Sequence, residues 1–310
     1  MSARRSSIKI VSLLPAATEI VAALGFEENL VGRSHECDYP AGISHLPVCT
    51  RAMVQPEGSS AEIDAQIRHA LKNALAIYEV LEDELARLQP DIIVTQDQCD
   101  VCAVALHDVE AAVCNMLGTQ TKIVSLNPEG LEKVFDDIGR VAAALDAEEA
   151  GAALIQSMQD GFADIQRRAQ TAEPPSVACI EWADPLMAAG NWVPSLVDIA
   201  GGRDPFGTAG EHAPWLAPGQ LFAEDPDVIV FMPCGFGLER SEAEARALVG
   251  KPEWQALNAV KNGRVYATDA NSYFNRPGPR LLDSAVILSE ILYPGAGLPT
   301  YKDIAWKAVL

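Results

Sequence analysis

The chain has 310 residues, 23 of them basic and 43 acidic, for a formal net charge of −20. That length carries about two ordinary domains, and a hydrophobic share of 49% leaves each with material for a core. The acidic balance repels nucleic acid and anionic membrane, so neither is expected as a partner.

The N-terminal stretch "MSARRSSIKIVSLLPAATEIVAALG" turns apolar as a strand-like run and continues as a helix-like one. It lacks the apolar centre and small-residue cleavage site of a signal peptide. No apolar run reaches the roughly 18 residues that a membrane span requires, so membrane insertion is not expected. Seven cysteines, an odd number in a large chain, read as reduced thiols and not as a disulfide framework. Together these features point to a cytoplasmic protein, the alternative being a periplasmic or extracellular one whose leader has been removed.

In chain order, strands are predicted at 8–14, 91–96 and 122–126, with helices at 18–24, 61–88 and 106–117. This alternation specifies an α/β domain with a mostly parallel sheet. Asn127-Pro128 supplies an N-cap and first helical residue, and Leu131, Val134, Phe135, Ile138, Val141, Ala142 and Leu145 then recur at helical spacing. A second helix starts at Asp146, whose partner Glu149 completes a capping box. It carries Leu154, Ile155, Met158, Phe162 and Ile165 until "TAEPPSV" stops it. At about 1.5 Å per residue, 147–171 spans on the order of 35 Å. Beyond Pro174-Pro175 the alternation resumes, with strands at 177–181, 228–232 and 265–268. The two halves also share a pattern: "LARLQPDIIV" from Leu85 and "LFAEDPDVIV" from Leu221 each read as a helix handing over through Pro-Asp to a strand. The predicted architecture is therefore α/β, with two Rossmann-like lobes, 1–127 and 175–310, joined through a helical connector, 128–174, that contains one long backbone helix. The ligand cleft is expected between the lobes.

Two stretches concentrate reactive side chains. "SHECDYP", 34–40, brings together His35, Glu36, Cys37 and Tyr39, and "TQDQCDVCAV", 95–104, holds Cys99 and Cys102 in C-x-x-C spacing. Cys37, Cys99 and Cys102 form a candidate transition-metal site, although one C-x-x-C without a second pair is a weak zinc signature. His35 with Glu36 has the composition of a base pair, and Cys37 or Cys102 that of a nucleophile. However, the chain has no nucleophile elbow, glycine-rich phosphate loop or H-E-x-x-H, so it is not read as an enzyme and no catalytic residues are assigned. Cys49, Cys114 and Cys179 lie in apolar surroundings and read as core. His45, His69, His107 and His212 are isolated, and Gly201-Gly202 reads as a helix end.

The stretches "IVSLLPAATEIVAALG", "VGRSHECDYP", "AAGNWVPSLVDIAGG" and "YFNRPGPR", with the Pro-Asp strand entries, resemble the cobalamin (vitamin B12) binding receptors of ABC importers. These belong to the helical-backbone class of periplasmic binding proteins, which also includes siderophore and haem receptors. The likeness runs over nearly the whole chain in order. It implies that loops after the strands of both lobes hold cobalamin or a related corrinoid, with no cofactor required. The residues so implied are His35, Glu36, Cys37, Tyr39, Asp97, Cys99 and Cys102 on the first lobe, and Glu181, Trp182, Asn191, Trp192, Cys234, Phe236, Tyr273, Phe274 and Arg276 on the second. The aromatic members offer flat apolar faces, while Asn191 and Arg276 can bond peripheral amides. A metal- or haem-binding protein using the cysteines and His35 is the alternative. The resemblance further implies a monomer that docks on an ABC permease through an acidic residue ahead of each Pro-Asp entry. Asp83 or Glu84 fills that place on the first lobe, whereas the second has Gly219-Gln220 and a weakened contact.

Overall fold

The computed structural model describes residues 7–53, 57–72, 78–96, 121–169, 173–217, 219–295 and 299–310. It divides into two compact units, one of residues 1–128 and 132–156, the other of 129–131 and 157–310.

The first unit is built on a parallel sheet of β1 (Ile10–Ser12), β2 (Leu30–Arg33), β5 (Ile92–Gln96) and β6 (Lys122–Leu126), in the order β2-β1-β5-β6. All three residues of β1 are buried, as are four of the five in β5, which is the continuous apolar character of strands covered on both faces. The order reverses between β1 and β5, the kind of switch point outside whose carboxyl ends α/β sheets take ligands. Helix α1 (Pro15–Ala23) follows β1, with Pro15 in the first turn, where its missing N–H costs nothing. Helix α2 (Ser60–Lys72) lies in sequence between β3 (Thr50–Ala52) and β4 (Tyr78–Val80), which pair as a short antiparallel ribbon, and α3 (Glu82–Leu88) follows β4.

In the second unit the order is β11-β10-β9-β7-β8, from β7 (Val177–Ala183), β8 (Leu186–Ala188), β9 (Val228–Phe231), β10 (Val265–Thr268) and β11 (Trp306–Ala308). The inner strands β7, β9 and β10 are parallel, while the edge strands β8 and β11 run antiparallel to their neighbours. One face of this sheet packs Ala178, Ile180, Ile229 and Phe231 with Leu248 and Trp254. The long helix α5 (Glu148–Arg168), 21 residues and about 31 Å at the standard rise, passes from one unit into the other at Gln156-Ser157.

The repeat read from the sequence is present in both units with the same local geometry. Helix α3 ends at Gln89, left-handed at φ 50° and ψ 63°, and Pro90-Asp91 leads into β5. In the second unit a short helix, Gln220–Glu224, ends at Asp225, φ 47° and ψ 64°, and Pro226-Asp227 leads into β9. The aspartate has a repeated task as well. Asp91 Oδ2 accepts the Lys9 N–H at 2.8 Å, and Asp227 Oδ2 accepts the Ser176 N–H at 2.8 Å and its hydroxyl at 2.8 Å. Each carboxylate thus satisfies the backbone donor just ahead of the neighbouring parallel strand, which sets that strand's register. The Ser176 bonds hold the Asp227 carboxyl below its usual range.

Three local expectations are corrected. The helix predicted over 61–88 is interrupted, because Tyr78–Val80 extends and pairs with Thr50–Ala52, a tertiary partner that outweighs local periodicity. The helix predicted from Pro128 starts at Leu131 as α4 (Leu131–Ala144). Ahead of it the Asn127 N–H is bonded to both carboxylate oxygens of buried Asp137, at 3.0 and 3.2 Å. The long helix begins at Glu148, after Asp146 at φ 52° and an Ala147 N–H that returns to Ala142 O at 2.9 Å, the six-to-one bond that ends α4. The helix predicted at 106–117 lies outside the described residues.

Candidate functional site

In the first unit the loop after β2 is shaped by Arg33, the last residue of that strand. Its Nη1 donates to Ser34 O and Cys37 O, both at 3.0 Å, and its Nη2 to Ser44 O at 3.1 Å. The Cys37 side chain is turned into the unit, 2% exposed, with its sulfur 3.0 Å from Thr18 Oγ1 and 3.2 Å from Ser34 Oγ. Glu36 is exposed, as is Tyr39. His35 is half-buried. Its backbone N–H donates to Thr50 Oγ1 at 3.0 Å, its Nδ1 lies 2.7 Å from the same oxygen, and its ring rests against Tyr78 at 5.5 Å between centroids. Asp97, Cys99 and Cys102 lie outside the described residues. Among the described residues no group of three or more His, Cys, Asp and Glu side chains is arranged to hold a metal ion.

In the second unit the decisive feature is an irregularity in β7. Ile180 pairs with Ala188, yet Trp182 pairs with Met187, so one extra residue is accommodated between them. A bulge of this kind reverses the alternation of the side chains beyond it. Ile180 and Ala188 therefore stay in the core while Trp182 is carried to the other face, beside Met187. Met187 in turn pairs with Trp215 across an isolated bridge. The flanking Leu186 and Leu216 pack with the core, leaving Trp182, Met187 and Trp215 as a cross-strand row on the opposite face. Phe236 extends the row, 5.5 Å from Trp182 between centroids, and Arg240 covers the Phe236 ring at 3.5 Å. Trp215 is 52% exposed, and the buried Trp182 Nε1–H has no acceptor among the described residues.

Glu181 sits within this bulge. Burial raises its carboxyl to about 7, against a backbone hydrogen bond from Gly190 and the attraction of His212, which lower it. A carboxyl raised in the folded state binds more protons there than in the unfolded chain, between its ordinary value of 4.5 and 7. Its contribution to stability is thus greatest at acid pH and declines as pH rises through that window. The urea midpoint of Glu181→Gln, measured from pH 5 to 8, is expected to decline less steeply than that of the parent protein, the remainder coming from Asp137, whose carboxyl burial raises to about 6.

The remaining second-unit candidates fall into smaller groups. Trp192, 6% exposed, donates from Nε1 to Phe274 O at 2.8 Å, and Phe274 is wholly buried. Tyr273 is half-buried, 5.7 Å from Tyr301 and with Arg280 above its ring at 5.4 Å. Arg276 is 2% exposed. Cys234 is an exposed thiol whose backbone N–H donates to Glu181 O at 3.2 Å. Asn191 is left-handed at φ 54°, with its N–H on Glu211 O and its carbonyl taking the Gly210 N–H. Sequence reasoning missed Met187 and Trp215. "HAPWL" displays the tryptophan, but only the hairpin register places it in the row.

The model for the periplasmic binding protein family matches residues 10–272. The chain belongs to the periplasmic binding protein family. Its relatives include an uncharacterized ABC transporter substrate-binding lipoprotein of Bacillus subtilis, YvrC, 23% identical over 92% of this chain and 80% of that one. The vitamin B12-binding protein of Vibrio cholerae is 24% identical over 89% of this chain and 86% of its own length. Among solved structures, the periplasmic haem-binding protein HutB of Vibrio cholerae superposes with a TM-score of 0.68 at 18% identity, covering 93% of this chain and 99% of that one. Fold and family are those of the substrate-binding proteins of ABC importers. The expected cytoplasmic location is corrected, since periplasmic binding proteins and lipoproteins of this type work outside the cytoplasm. The cysteines misled for a physical reason: Cys37, Cys49 and Cys179 are buried, and a thiol shielded from solvent does not report the redox state of its compartment.

Proposed function

We propose that this periplasmic binding protein carries cobalamin or a related corrinoid. The observation that carries the reading is the row of Trp182, Met187 and Trp215, continued by Phe236 and Arg240. Trp215 and Met187 offer the accessible apolar surface for a large macrocycle, backed by the buried Trp182 and by Phe236, whose ring Arg240 covers. Glu181 beside it titrates near neutrality, so its protonated form can donate to a peripheral amide oxygen. The vitamin B12-binding relative supports the same ligand class. His35, Glu36 and Tyr39 on the first unit, and Cys234 and Tyr273 on the second, are assigned as further ligand-side residues. Cys37, Trp192, Phe274 and Arg276 are assigned to support, because they are buried.

Titration calorimetry with cyanocobalamin and hydroxocobalamin is expected to show one site per chain. Because Trp215 is half-exposed, Trp215→Ala should leave the fold intact and weaken binding about tenfold, the usual order for a central tryptophan. Absence of binding by both corrinoids at high micromolar concentration would refute the ligand assignment and leave the family unaffected.

The partner is an ABC permease, met on the first unit by the exposed Asp83 of α3, since Glu84 is paired with Arg87 at 2.7 Å. On the second unit Gly219 stands at φ 89°, a conformation that strains a side chain, so a docking carboxylate would be accommodated at the exposed Gln220.

A further inference from the structure

We propose that Asn275 recognises the ligand of this protein, its side-chain Nδ2–H donating to an oxygen acceptor at the ligand's periphery, an inference that rests on the corrinoid reading above. Asn275 lies in the second unit, in the loop that follows β10 and the short helix Ala270–Tyr273. Hydrogen bonds fix it from three sides. Its backbone N–H donates to Ala270 O at 3.0 Å, the carbonyl of the preceding Phe274 takes the Trp192 Nε1–H at 2.8 Å, and its own Oδ1 accepts the Gly235 N–H at 3.2 Å. Gly235, left-handed at φ 76°, belongs to the loop after β9, and the carbonyl of the next residue, Phe236, accepts the Asn271 N–H at 3.0 Å. The loops after β9 and β10 are thereby stitched together beside Phe236, which continues the apolar row from Trp182.

The Gly235 bond decides which end of the side-chain amide is available. A backbone N–H can only donate, so the atom facing it is the carbonyl oxygen, and the two Nδ2 hydrogens are directed elsewhere. Asn275 is half-buried. Its Nδ2 has no hydrogen-bond partner among the described residues and is not sealed from solvent, in contrast to the equally unpartnered Trp182 Nε1. A donor already held in place loses little freedom when a ligand arrives. It also discriminates, because a carbonyl or carboxylate oxygen satisfies it, whereas a ligand without an acceptor at that point leaves it unpaired. The amide carbonyls around a corrinoid and the carboxylates of a haem are both acceptors of this kind. A purely structural Asn275 would need only its oxygen, for the Gly235 N–H, and its nitrogen would not respond to ligand.

Nuclear magnetic resonance of the side-chain amides reads this contact directly. In isotope-labelled protein, the Nδ2 proton pair of Asn275 is the one missing from the spectrum of Asn275→Asp, a variant that keeps an oxygen for the Gly235 N–H. Saturating cyanocobalamin is expected to move one proton of that pair downfield and to slow its exchange with solvent at least about tenfold, the other proton changing less. Slower exchange without the downfield shift, as covering alone would produce, or a pair that does not respond, overturns the inference. If cyanocobalamin does not bind, the corrinoid reading fails and zinc protoporphyrin, which is diamagnetic and carries carboxylates, decides the role of Asn275. The same response to zinc protoporphyrin supports the inference, and an unmoved pair or no binding overturns it.

Discussion

Trp192→Ala is expected to destabilise the protein by about 3–5 kcal/mol, the range for deleting a buried large aromatic side chain. Trp192 is 6% exposed, and its Nε1–H reaches 82 positions along the chain to Phe274 O at 2.8 Å. Alanine would leave a cavity and strip the donor from a carbonyl whose own side chain is wholly buried. Trp192→Phe separates the two contributions, retaining most of the volume but not the N–H, and should cost about 1–2 kcal/mol. Urea unfolding followed by circular dichroism measures both. An alanine variant with an unchanged midpoint would show that Trp192 is not the internal anchor described here. The consequence for binding studies is direct: lost ligand affinity in Trp192→Ala would report damage to the fold, whereas Trp215→Ala tests contact.

Gly190→Ala should cost more than about 2 kcal/mol, in the upper part of the range for overpacking. A Cβ at this position would lie 2.7 Å from Ala213 Cα and from Glu211 O, and still nearer to Ala213 N. These are backbone atoms, so no rotamer change relieves the contact and the segment 211–213 must move. That displacement also disturbs the Gly190 hydrogen bond that lowers the Glu181 carboxyl, so the pH window of Glu181 should shift upward in the variant. Gly139→Ala provides the opposite sign. Gly139 is inside α4, and a methyl group added there would meet nothing within 4 Å beyond its own helix backbone, so alanine should stabilise by about 1 kcal/mol through helix propensity. Equal midpoints for the two variants would contradict the close approach at Gly190.

Much of the architecture was legible in the chain because it is carried by short-range patterns. The apolar runs of β5 and β9 are nearly continuous, as strands buried on both faces require, and the structure places strands there and at the more mixed β6 and β10. The Pro-Asp entries were equally readable: proline excludes the helical conformation from the residue before it, and a short carboxylate is the side chain that can close on a nearby N–H. The site was less legible. Glu181, Trp182 and Phe236 could be named from the sequence, but their arrangement could not, because a single extra residue in β7 reverses which face Trp182 occupies.

By itself, then, the sequence determined the α/β class, the repeated helix-to-strand unit and the long helix, since each follows from local periodicity and backbone chemistry. Only the tertiary structure decided that Tyr78–Val80 is a strand, that Trp215 joins Trp182 through Met187, that the Cys37 sulfur turns inward, and that Thr50 holds the ring of His35. The physical reason is common to all four. Each depends on a partner many residues away, and whether a side chain meets water, core or a hydrogen-bond acceptor is fixed by strand register and burial, which no local pattern encodes.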